Sequence, residues 1–344
     1  MHPSFDTILA TEPIAPRGRE PIGASREGRP VRGFRFGTGN RRISLLGGCH
    51  ADEPVGPRLL SHLAAYLDAL PADDPLLDRY QWWIIPHINP DGEARNRVWY
   101  DGDDEAYDLG CYLAGVIREP PGDDIEFGFP LNDQDTGARP ENRAAYQWWL
   151  SADGPFTMHI SLHGMGFAAG PWFLLEHSWN DRLESFKKTC RACVAEMGYR
   201  LHDVERHGEK GFVRLGPGFC TRPDSESMRR HFLDLGDEAM AARFRPSSME
   251  TIRSLGGDAL TMVSEMPLFL LPGVGETLGP PDPVAVEWRE RIGQWRTSAK
   301  GGAAAAVINA EAHQAGLRPM PIRDQMTLQW MMIRGGLKAA ANIE

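Results

Sequence analysis

Two side chains able to bind a metal ion stand three positions apart in this sequence, His50 and Glu53. A histidine nitrogen and a glutamate oxygen are two of the three protein ligands that a catalytic zinc ion needs, and its remaining position is left for water. The apolar run at residues 43–46, followed by two glycines, predicts a buried strand that ends in a turn just before the pair. The spacing alone is a weak signal, because a turn that begins a helix and carries a surface acid has the same pattern.

Alternating strands and helices would have to position such a pair. Apolar runs that read as strands and runs with helical spacing follow one another, at residues 57–70 (helix), 82–88 (strand), 141–150 (helix), 156–162 (strand), 179–197 (helix) and 260–265 (strand). This alternation predicts a mainly parallel sheet that is covered by helices on both faces. Residues 31–36 and 43–46 are expected to form a hairpin that leads into the central strand.

Four of the predicted strand ends carry polar residues. In open sheets of this kind, functional residues gather at the carboxyl ends of the strands. The ends are expected at the His50 turn, at residues 89–92 (Asn-Pro-Asp-Gly), at His163 and at Glu265. Two histidines, one ligand glutamate and one free glutamate form the set that metal-assisted hydrolysis needs, three ligands and a general base. A core histidine bonded to the backbone is the alternative for His163, whereas an unpaired buried carboxylate at Glu265 would be costly.

Length, charge and cysteine content narrow the class of protein. The chain has 344 residues, 42% of them hydrophobic, and a formal net charge of −10. This charge argues against a nucleic-acid partner, because phosphate binding needs a basic face. Five cysteines without a regular framework are expected to be reduced thiols. Residues 1–15 lack the pattern of a signal peptide, and no apolar run approaches the roughly 20 residues of a membrane span, which predicts a cytoplasmic protein without a membrane partner.

We expect three parts along the chain. They are a polar N-terminal arm at residues 1–20, a catalytic domain at residues 21–300 and a C-terminal helical extension at residues 301–344. Residues 93–140 are rich in Gly, Asp and Pro and show no clear period, so they are expected to form a long loop. Loops of that length inside a folded chain are usually functional or disordered.

Taken in order, these motifs resemble the zinc metallocarboxypeptidase family of the carboxypeptidase A-like superfamily, and the chain is similar to a divergent, bacterial-type cytosolic member. The resemblance covers roughly residues 20–272. It is carried by residues 22–30, the His50 turn, residues 89–92, residues 96–99 (Asn-Arg-Val-Trp), residues 140–144 (Pro-Glu-Asn-Arg-Ala), His163 and Glu265. Each motif by itself is a weak indication of the family, whereas the order and spacing of all of them together are specific to it. The resemblance implies an α/β fold with a mixed, mainly parallel, eight-stranded twisted sheet between helices.

The resemblance also implies a cofactor and the roles of four residues. One Zn²⁺ would be bound by His50, Glu53 and His163. Glu265 matches the family's general base, which takes a proton from the attacking water and passes it to the leaving amine. A zinc ion can lower the pKa of water to about 7, and a carboxylate that completes the deprotonation is typically worth about 10²–10⁴ in rate.

Arginines near the implied site are the candidates for contacts with the substrate. A peptide carbonyl that becomes an oxyanion needs a cation beside the metal. The family places this cation after the Asn-Pro-Asp-Gly segment, where Arg95 and Arg97 both lie. The match at residues 96–99 favours Arg97, whereas a slip of one or two residues would choose Arg95, which is also a candidate for contact with the substrate. Surface arginines in a loop are the alternative for both. Arg118 is the candidate anchor for the terminal carboxylate of the substrate, and an ordinary ion pair in the loop is its alternative.

The sequence departs from the family at two places. Typical members carry an Asn-Arg pair that clamps the substrate carboxylate, and the best local match here has Glu126 and Phe127 instead. A negative residue at that place would repel a carboxylate. The tyrosine that typical members bring shortly before the general base is also missing, since the last tyrosine of this chain is Tyr199. His231 is the candidate replacement.

The expected function is zinc-dependent hydrolysis that removes a C-terminal amino acid from peptides. A related deacylase group, resembling aspartoacylase and succinylglutamate desuccinylase, shares the Gly-Gly-x-His-x-x-Glu turn and cleaves N-acyl amino acids. An N-acyl amino acid is therefore the first alternative substrate. A protein that binds zinc without turnover is the second alternative, and Glu265 argues against it because a non-catalytic site needs no free base. No feature of the sequence specifies an oligomeric state.

Overall fold

The computed structural model describes residues 2–13, 20–101, 105–120, 122–203, 205–276, 278–279 and 282–341. Its strands are β1 Gly23–Ala24, β2 Pro30–Val31, β3 Phe34–Phe36, β4 Arg41–Gly47, β5 Tyr80–Ile85, β6 Met158–Ala168, β7 Trp172–Leu175, β8 Arg214–Gly216, β9 Phe219–Thr221, β10 Leu260–Leu270 and β11 Arg318–Pro319. Its α-helices are α1 Phe5–Leu9, α2 Val55–Asp68, α3 Pro75–Arg79, α4 Pro90–Tyr100, α5 Leu109–Gly115, α6 Pro140–Leu150, α7 Glu184–Glu196, α8 Ser225–Asp234, α9 Glu238–Ala241, α10 Ser248–Ser254, α11 Pro283–Lys300, α12 Ala305–Gln314 and α13 Ile322–Ala341. Two 3₁₀ segments are His177–Leu183 and Glu209–Gly211.

The central sheet is mixed, with parallel strands in its middle and antiparallel pairings on either side. Its main strands lie in the order β3-β5-β4-β6-β10-β7-β9-β8, and the short β11 pairs with β10 as a ninth strand. The four central strands β5, β4, β6 and β10 run parallel to one another. β1 and β2 form a separate two-stranded sheet. The predicted α/β fold with a mixed sheet between helices is confirmed.

Successive residues of the central strands contribute to two cores, one on each face of the sheet. Side chains alternate between the faces of a strand, so a strand that is covered on both faces is apolar throughout. In β4, Leu45 belongs to the larger core beneath α2 and α13, and Leu46 to a second core with α6 and α10. Both residues are fully buried. This burial on both faces explains the apolar residues at positions 43, 45 and 46, between which the buried Ser44 is hydrogen-bonded to His159.

Strands β6 and β10 continue past the candidate site residues His163 and Glu265. The two strands pair in parallel, with Glu265 directly beside His163. The expectation that strands end at these residues is wrong, because the apolar segments that follow them keep pairing. The strand that does end is β4, at Gly47, which pairs with Leu162. The His50 turn therefore leaves the sheet beside the middle of β6.

The segment that follows β5 is helical in two places where an irregular loop over residues 93–140 was expected. Asn89 caps α4, since its side-chain oxygen accepts the Gly92 N–H at 3.0 Å, and Pro90 occupies the first turn. The loop prediction is wrong for α4 and α5. Three of the four buried residues of α4 are polar or glycine, so its helical period does not show as apolar spacing. Residues 102–104 and 121 lie outside the described residues.

The predicted hairpin before the central strand is also wrong. β3 pairs antiparallel with β5, not with β4, and β2 pairs with β1 in the small separate sheet. β4 instead lies between β5 and β6, with both pairings parallel. The local sequence predicts two neighbouring strands here. β3 pairs instead with β5, which lies more than forty residues further along the chain.

The N-terminal segment packs against the rest of the fold where it is described. Ile8 of α1 is fully buried in the larger core. The indole N–H of Trp330 donates to the backbone carbonyl of Pro3 at 3.3 Å, which ties the segment to α13. The expected arm at residues 1–20 is therefore docked, although residues 14–19 lie outside the described residues.

The C-terminal helices are present where a helical extension at residues 301–344 was expected. The apolar residues of α13 are part of the larger core, so this helix packs beneath the sheet rather than extending from it. The side-chain amide of Gln329 donates to the backbone carbonyl of His163 at 3.2 Å. The boundaries of the three predicted parts stay predictions, and residues 342–344 lie outside the described residues.

None of the helices in the described part of the chain has the length and apolar content to cross a bilayer. The two longest, α11 and α13, have 18 and 20 residues and carry charged side chains along one side. Their buried residues recur at helical spacing, and α13 packs against β6 and β10 whereas α11 packs against α5 and α12. They are therefore amphipathic helices of a folded domain.

Candidate active site

Three side chains from two distant parts of the sequence converge on one point. His50 Nδ1 lies 2.8 Å from Glu53 Oε1. His163 Nδ1 lies 3.0 Å from Glu53 Oε2 and 3.2 Å from His50 Nδ1. The structure thus brings together the three residues that the sequence predicts as metal ligands.

A tight turn after β4 aims His50 and Glu53 at this point. Gly48 adopts a positive φ of 72°, and a side chain there would meet the His87 ring at 2.5 Å. Glycine is suited to both conditions, because it tolerates the left-handed region and leaves room for the neighbouring ring. The Glu53 N–H donates to the His50 carbonyl at 3.3 Å, and α2 begins immediately afterwards. The pair is therefore held between a strand end and a helix start.

The donor set fits a zinc ion. Two imidazole nitrogens and a carboxylate are zinc ligands, and bonds of about 2.0–2.1 Å at tetrahedral angles place ligand atoms about 3.3 Å apart. The separations of 2.8, 3.0 and 3.2 Å are close to that spacing. Glu53 and His163 are each only 3% exposed, and His50 is 14% exposed. His50, Glu53 and His163 are thus a group that could hold a single metal ion.

Glu265 lies beside the candidate metal ligands, and its side chain makes no hydrogen bond within the described residues. It is half-buried on β10, next to His163 in the sheet register. Burial, followed by the nearby Glu53 carboxylate, raises the pKa of Glu265 to about 8. A carboxyl group without a fixed partner, with a pKa near neutrality, is suited to accepting and returning a proton.

The raised pKa of Glu265 predicts a pH-dependent stability difference in the metal-free protein. Glu265 ionises more readily in the unfolded chain, so its contribution to folding becomes less favourable as pH rises from about 4.5 towards 8. Glu265→Gln removes this ionisation. We expect the melting temperature of the variant, relative to wild type, to increase between pH 5 and pH 8 when both are measured with a chelator present. A constant difference across that range would contradict the raised pKa.

Arg118 contacts Glu53, one of the three candidate ligands. One of its guanidinium nitrogens lies 3.2 Å from Glu53 Oε1 and 3.2 Å from Asp52 Oδ1. Burial opposes its charge, but Glu53 and Asp52, with a smaller effect of Glu265, outweigh burial and raise the pKa of Arg118. Its side chain remains 44% exposed, so the guanidinium can also reach a bound molecule.

The other two predicted arginines contact acids away from the metal ligands. Both lie on α4. Arg97 pairs with Glu93 one turn earlier on the same helix, at 3.2 Å, and its side chain is 57% exposed. Arg95 pairs with Glu27. In the described residues, neither arginine has a hydrogen bond or ion pair with His50, Glu53 or His163.

The two residues that replace the family's clamp point in different directions. Glu126 Oε2 lies 3.0 Å from His163 Nε2, on the ring edge away from the other ligands. The Phe127 ring packs edge-on against Phe244, with 5.6 Å between ring centroids. His231, the candidate for the missing tyrosine, lies on α8 with its ring against Phe232. Only Glu126 of this group contacts a metal ligand.

Sequence reasoning missed two buried residues next to Arg118. Asp52 is 5% exposed and precedes Glu53, so its position beside a ligand was the available signal. Tyr112 is 4% exposed on α5, far upstream of Glu265 in the sequence, whereas the tyrosine implied by the resemblance would come shortly before the general base. Burial, with a further contribution from Asp52, raises the pKa of Tyr112. Tyr112 therefore stays protonated and can donate a hydrogen bond near the site.

This chain is similar to a family model, to two known proteins and to a crystal structure. A family model described as zinc carboxypeptidase matches residues 18–209, which include the three ligands and Arg118 but not Glu265. Carboxypeptidase SOL1 of Arabidopsis thaliana is 31% identical over 165 residues, covering 46% of this chain and 28% of that protein. The inactive metallocarboxypeptidase ECM14 of Uncinocarpus reesii is 27% identical over 155 residues, covering 39% and 24%. The match thus spans about a quarter of the length of these relatives. The crystal structure of the carboxypeptidase A from Helicoverpa armigera is similar with a TM-score of 0.47 and 12% identity, covering 94% of this chain and 68% of that one.

Proposed function

This chain belongs to the zinc carboxypeptidase family, and from that premise we propose that it hydrolyses amide bonds with one zinc ion and removes a C-terminal amino acid from a peptide. The observation that carries the proposal is the convergence of His50, Glu53 and His163 with Glu265 at their side. Three ligands and a free carboxylate are the minimal set for metal-assisted hydrolysis.

We assign the chemical steps to this chain's own residues. His50, Glu53 and His163 would hold Zn²⁺, which supplies Lewis acidity and a lowered pKa for water when it is bound. Glu265 accepts a proton from the attacking water and returns it to the leaving amine. Without a cation the pKa of Glu265 is about 8, so near neutral pH the group can both accept and donate a proton. A cation nearby shifts its protonation equilibrium towards the carboxylate. Such general acid–base help contributes about 10²–10⁴ in rate.

The contacts support Arg118, not Arg97, as the residue that stabilises the developing oxyanion. Arg118 lies against Glu53 and keeps an exposed guanidinium face, whereas Arg97 is paired on its own helix. A charge-assisted hydrogen bond is worth about 1.5–3 kcal/mol. We expect Arg118→Gln to lower kcat/KM by about 10- to 100-fold and Arg97→Gln by less than about threefold, with zinc content measured for both. The opposite ranking would return the role to Arg97.

Mass spectrometry of a mixed peptide pool tests the substrate class. Zinc-loaded wild type is expected to produce ladders that lack C-terminal residues, and Glu265→Gln, loaded to the same zinc content, to produce none. Ladders from the variant as well would indicate a contaminating peptidase. An untouched pool from wild type that holds zinc would contradict peptide cleavage.

A second candidate function is hydrolysis of N-acyl amino acids. It is favoured by one observation, that Glu126 and Phe127 occupy the place of the family's carboxylate clamp, and neither is a cation. Glu126 contacts His163 and Phe127 packs against Phe244, so neither is placed to hold a peptide's terminal carboxylate. Release of free amino acid from a panel of N-acyl amino acids, absent with Glu265→Gln, would favour this function over the first.

The relative named as inactive raises the option of binding without turnover. Glu265 argues against that option for this chain. A half-buried carboxyl whose pKa is raised to about 8 makes folding less favourable, and such groups are typical of catalytic sites. Retained zinc with no hydrolysis of peptides or of N-acyl amino acids would favour the binding function instead.

A further inference from the structure

We infer that Glu126 is a positioning residue, which holds the His163 imidazole in the orientation that the metal ligand set requires. The inference rests on the proposed function in that it takes the metal to be zinc. It assigns to Glu126, which stands where the family has part of its substrate clamp, a contact with a ligand rather than with substrate.

The two ring nitrogens of His163 face different groups. Nδ1 faces the other ligands, at 3.0 Å from Glu53 and 3.2 Å from His50. Nε2 faces the opposite side, where Glu126 Oε2 lies at 3.0 Å and Ser161 Oγ at 2.8 Å. If Nδ1 is a ligand, the neutral ring carries its proton on Nε2. That N–H then needs an acceptor, and a carboxylate in this place fixes both the tautomer and the ring plane.

The burial of Glu126 requires a positive partner. Its side chain is 9% exposed, and a buried carboxylate is costly unless it is paired. His163 is the only histidine, lysine or arginine with which Glu126 forms an ion pair in the described residues. In the described residues Glu126 Oε2 has no hydrogen-bond partner, so its 3.0 Å approach to His163 Nε2 is an ion-pair contact, and the hydrogen bond at Nε2 is with Ser161. The partner that accounts for the buried charge is therefore the His163 ring, which gains positive character when a cation is bound to its other edge.

The loop that carries Glu126 is held rigidly. The Asn142 side-chain amide donates to the Ile125 carbonyl at 2.8 Å, just before Glu126. The backbone N–H of Arg245 donates to the Phe127 carbonyl at 2.9 Å, just after it. These bonds come from α6 and from the segment before α10, so two separate elements fix the loop. A carboxylate on such a support can hold a ring in place, because its own position costs little further entropy.

Ser161 is the competing acceptor for the Nε2 proton. Its hydroxyl is closer to Nε2 than Glu126 is, and it also lies 3.7 Å from the Cys49 thiol. A hydroxyl is neutral and rotates to suit its partners, so it orients the ring less strongly than a carboxylate. Losing a carboxylate that supports a metal ligand typically lowers metal affinity by about 10–100-fold. Substitution of each residue in turn therefore separates the two possibilities.

The test is the zinc dissociation constant, measured by competition with a chromogenic chelator. We expect Glu126→Gln to weaken zinc binding by about 10–100-fold and Ser161→Ala by less than about threefold. Glu176→Gln is the matched control, because the Glu176 side chain is 11% exposed, against 9% for Glu126, and is ion-paired with Arg222 at 2.9 Å, beside Thr261 at the start of β10. The control is expected to bind zinc like wild type. Equal affinity for Glu126→Gln and wild type, or a larger effect of Ser161→Ala, would overturn the inference.

Glu126→Asp provides a second variant if Glu126→Gln fails to fold. It keeps the charge and withdraws the oxygen atoms by one methylene, so we expect an intermediate loss of affinity. The visible absorption of the Co²⁺-substituted protein is a further readout, because it reports the ligand geometry. A changed spectrum in the Glu126 variants and an unchanged one in Glu176→Gln would support positioning, and unchanged spectra in all of them would contradict it.

Failure of this inference and failure of the proposed function give different results. Zinc affinity is measured without any substrate. If Glu126→Gln weakens zinc binding while wild type hydrolyses no amide, Glu126 positions His163 in a protein with another function. If wild type hydrolyses amides and Glu126→Gln binds zinc normally, the proposed function stands and the positioning role is wrong.

Discussion

Glu265→Gln is expected to leave zinc bound and to lower turnover by more than about 10²-fold. Glu265 is not among the three side chains whose donor atoms converge, so the ligand set survives its substitution. The variant keeps the size of the side chain and removes only the ability to accept a proton. The measurement is kcat on whichever substrate wild type cleaves, together with zinc content by elemental analysis.

Glu176→Gln is the control for substitution of a buried glutamate, since the Glu176 carboxylate accepts a hydrogen bond from Thr261 at the start of β10, four residues before Glu265. It is expected to retain wild-type turnover. Loss of zinc from Glu265→Gln combined with unchanged turnover per bound zinc would contradict the assignment of Glu265 as general base.

His163→Ala is expected to release zinc and abolish activity. Its Nδ1 is one of the three donor atoms of the candidate group His50, Glu53 and His163, and two donors bind zinc far more weakly than three. In the metal-free protein, burial works against protonation of His163, but Glu126 and Glu53 outweigh it and raise the pKa of the ring. Zinc binding must displace that proton, so the affinity of wild type should rise with pH.

His159→Ala is the matched control, because His159 lies on the same strand and the same face. Its ring is fully buried between the hydroxyls of Ser44 and Ser248, at 2.9 and 3.0 Å, and burial lowers its pKa to about 3. We expect this variant to lose stability but to keep zinc. Full zinc retention by His163→Ala would mean that the third ligand is another residue.

The sequence alone predicts a chemistry for the site. The types and order of His50, Glu53, His163 and Glu265 indicate a metal-assisted hydrolase, and the alternation of strands and helices predicts the mixed sheet. These features are readable because they are local: a turn with two glycines, apolar runs of strand length and helical spacing. The structure brings His50, Glu53 and His163 together as the pattern predicts.

Local patterns failed where the pairing or packing partner is remote. Nothing near residues 31–36 shows that β3 pairs with β5, and nothing near His163 shows that β6 continues, since that continuation depends on β10. The same limit applies to α4. This helix has few apolar residues, so its helical period does not show in the sequence, and its position in the fold decides where Arg97 points. In each case the deciding contact lies far away in sequence.

The sequence by itself therefore determined which atoms can bind a metal and which fold class carries them. Only the tertiary structure decided which charged side chains contact the residues that carry those atoms. Arg118 contacts Glu53 and Glu126 contacts His163 because loops from distant positions fold over the sheet at the end of β4. Charges interact through space, with a strength set by distance and burial, and neither quantity can be read from spacing along the chain.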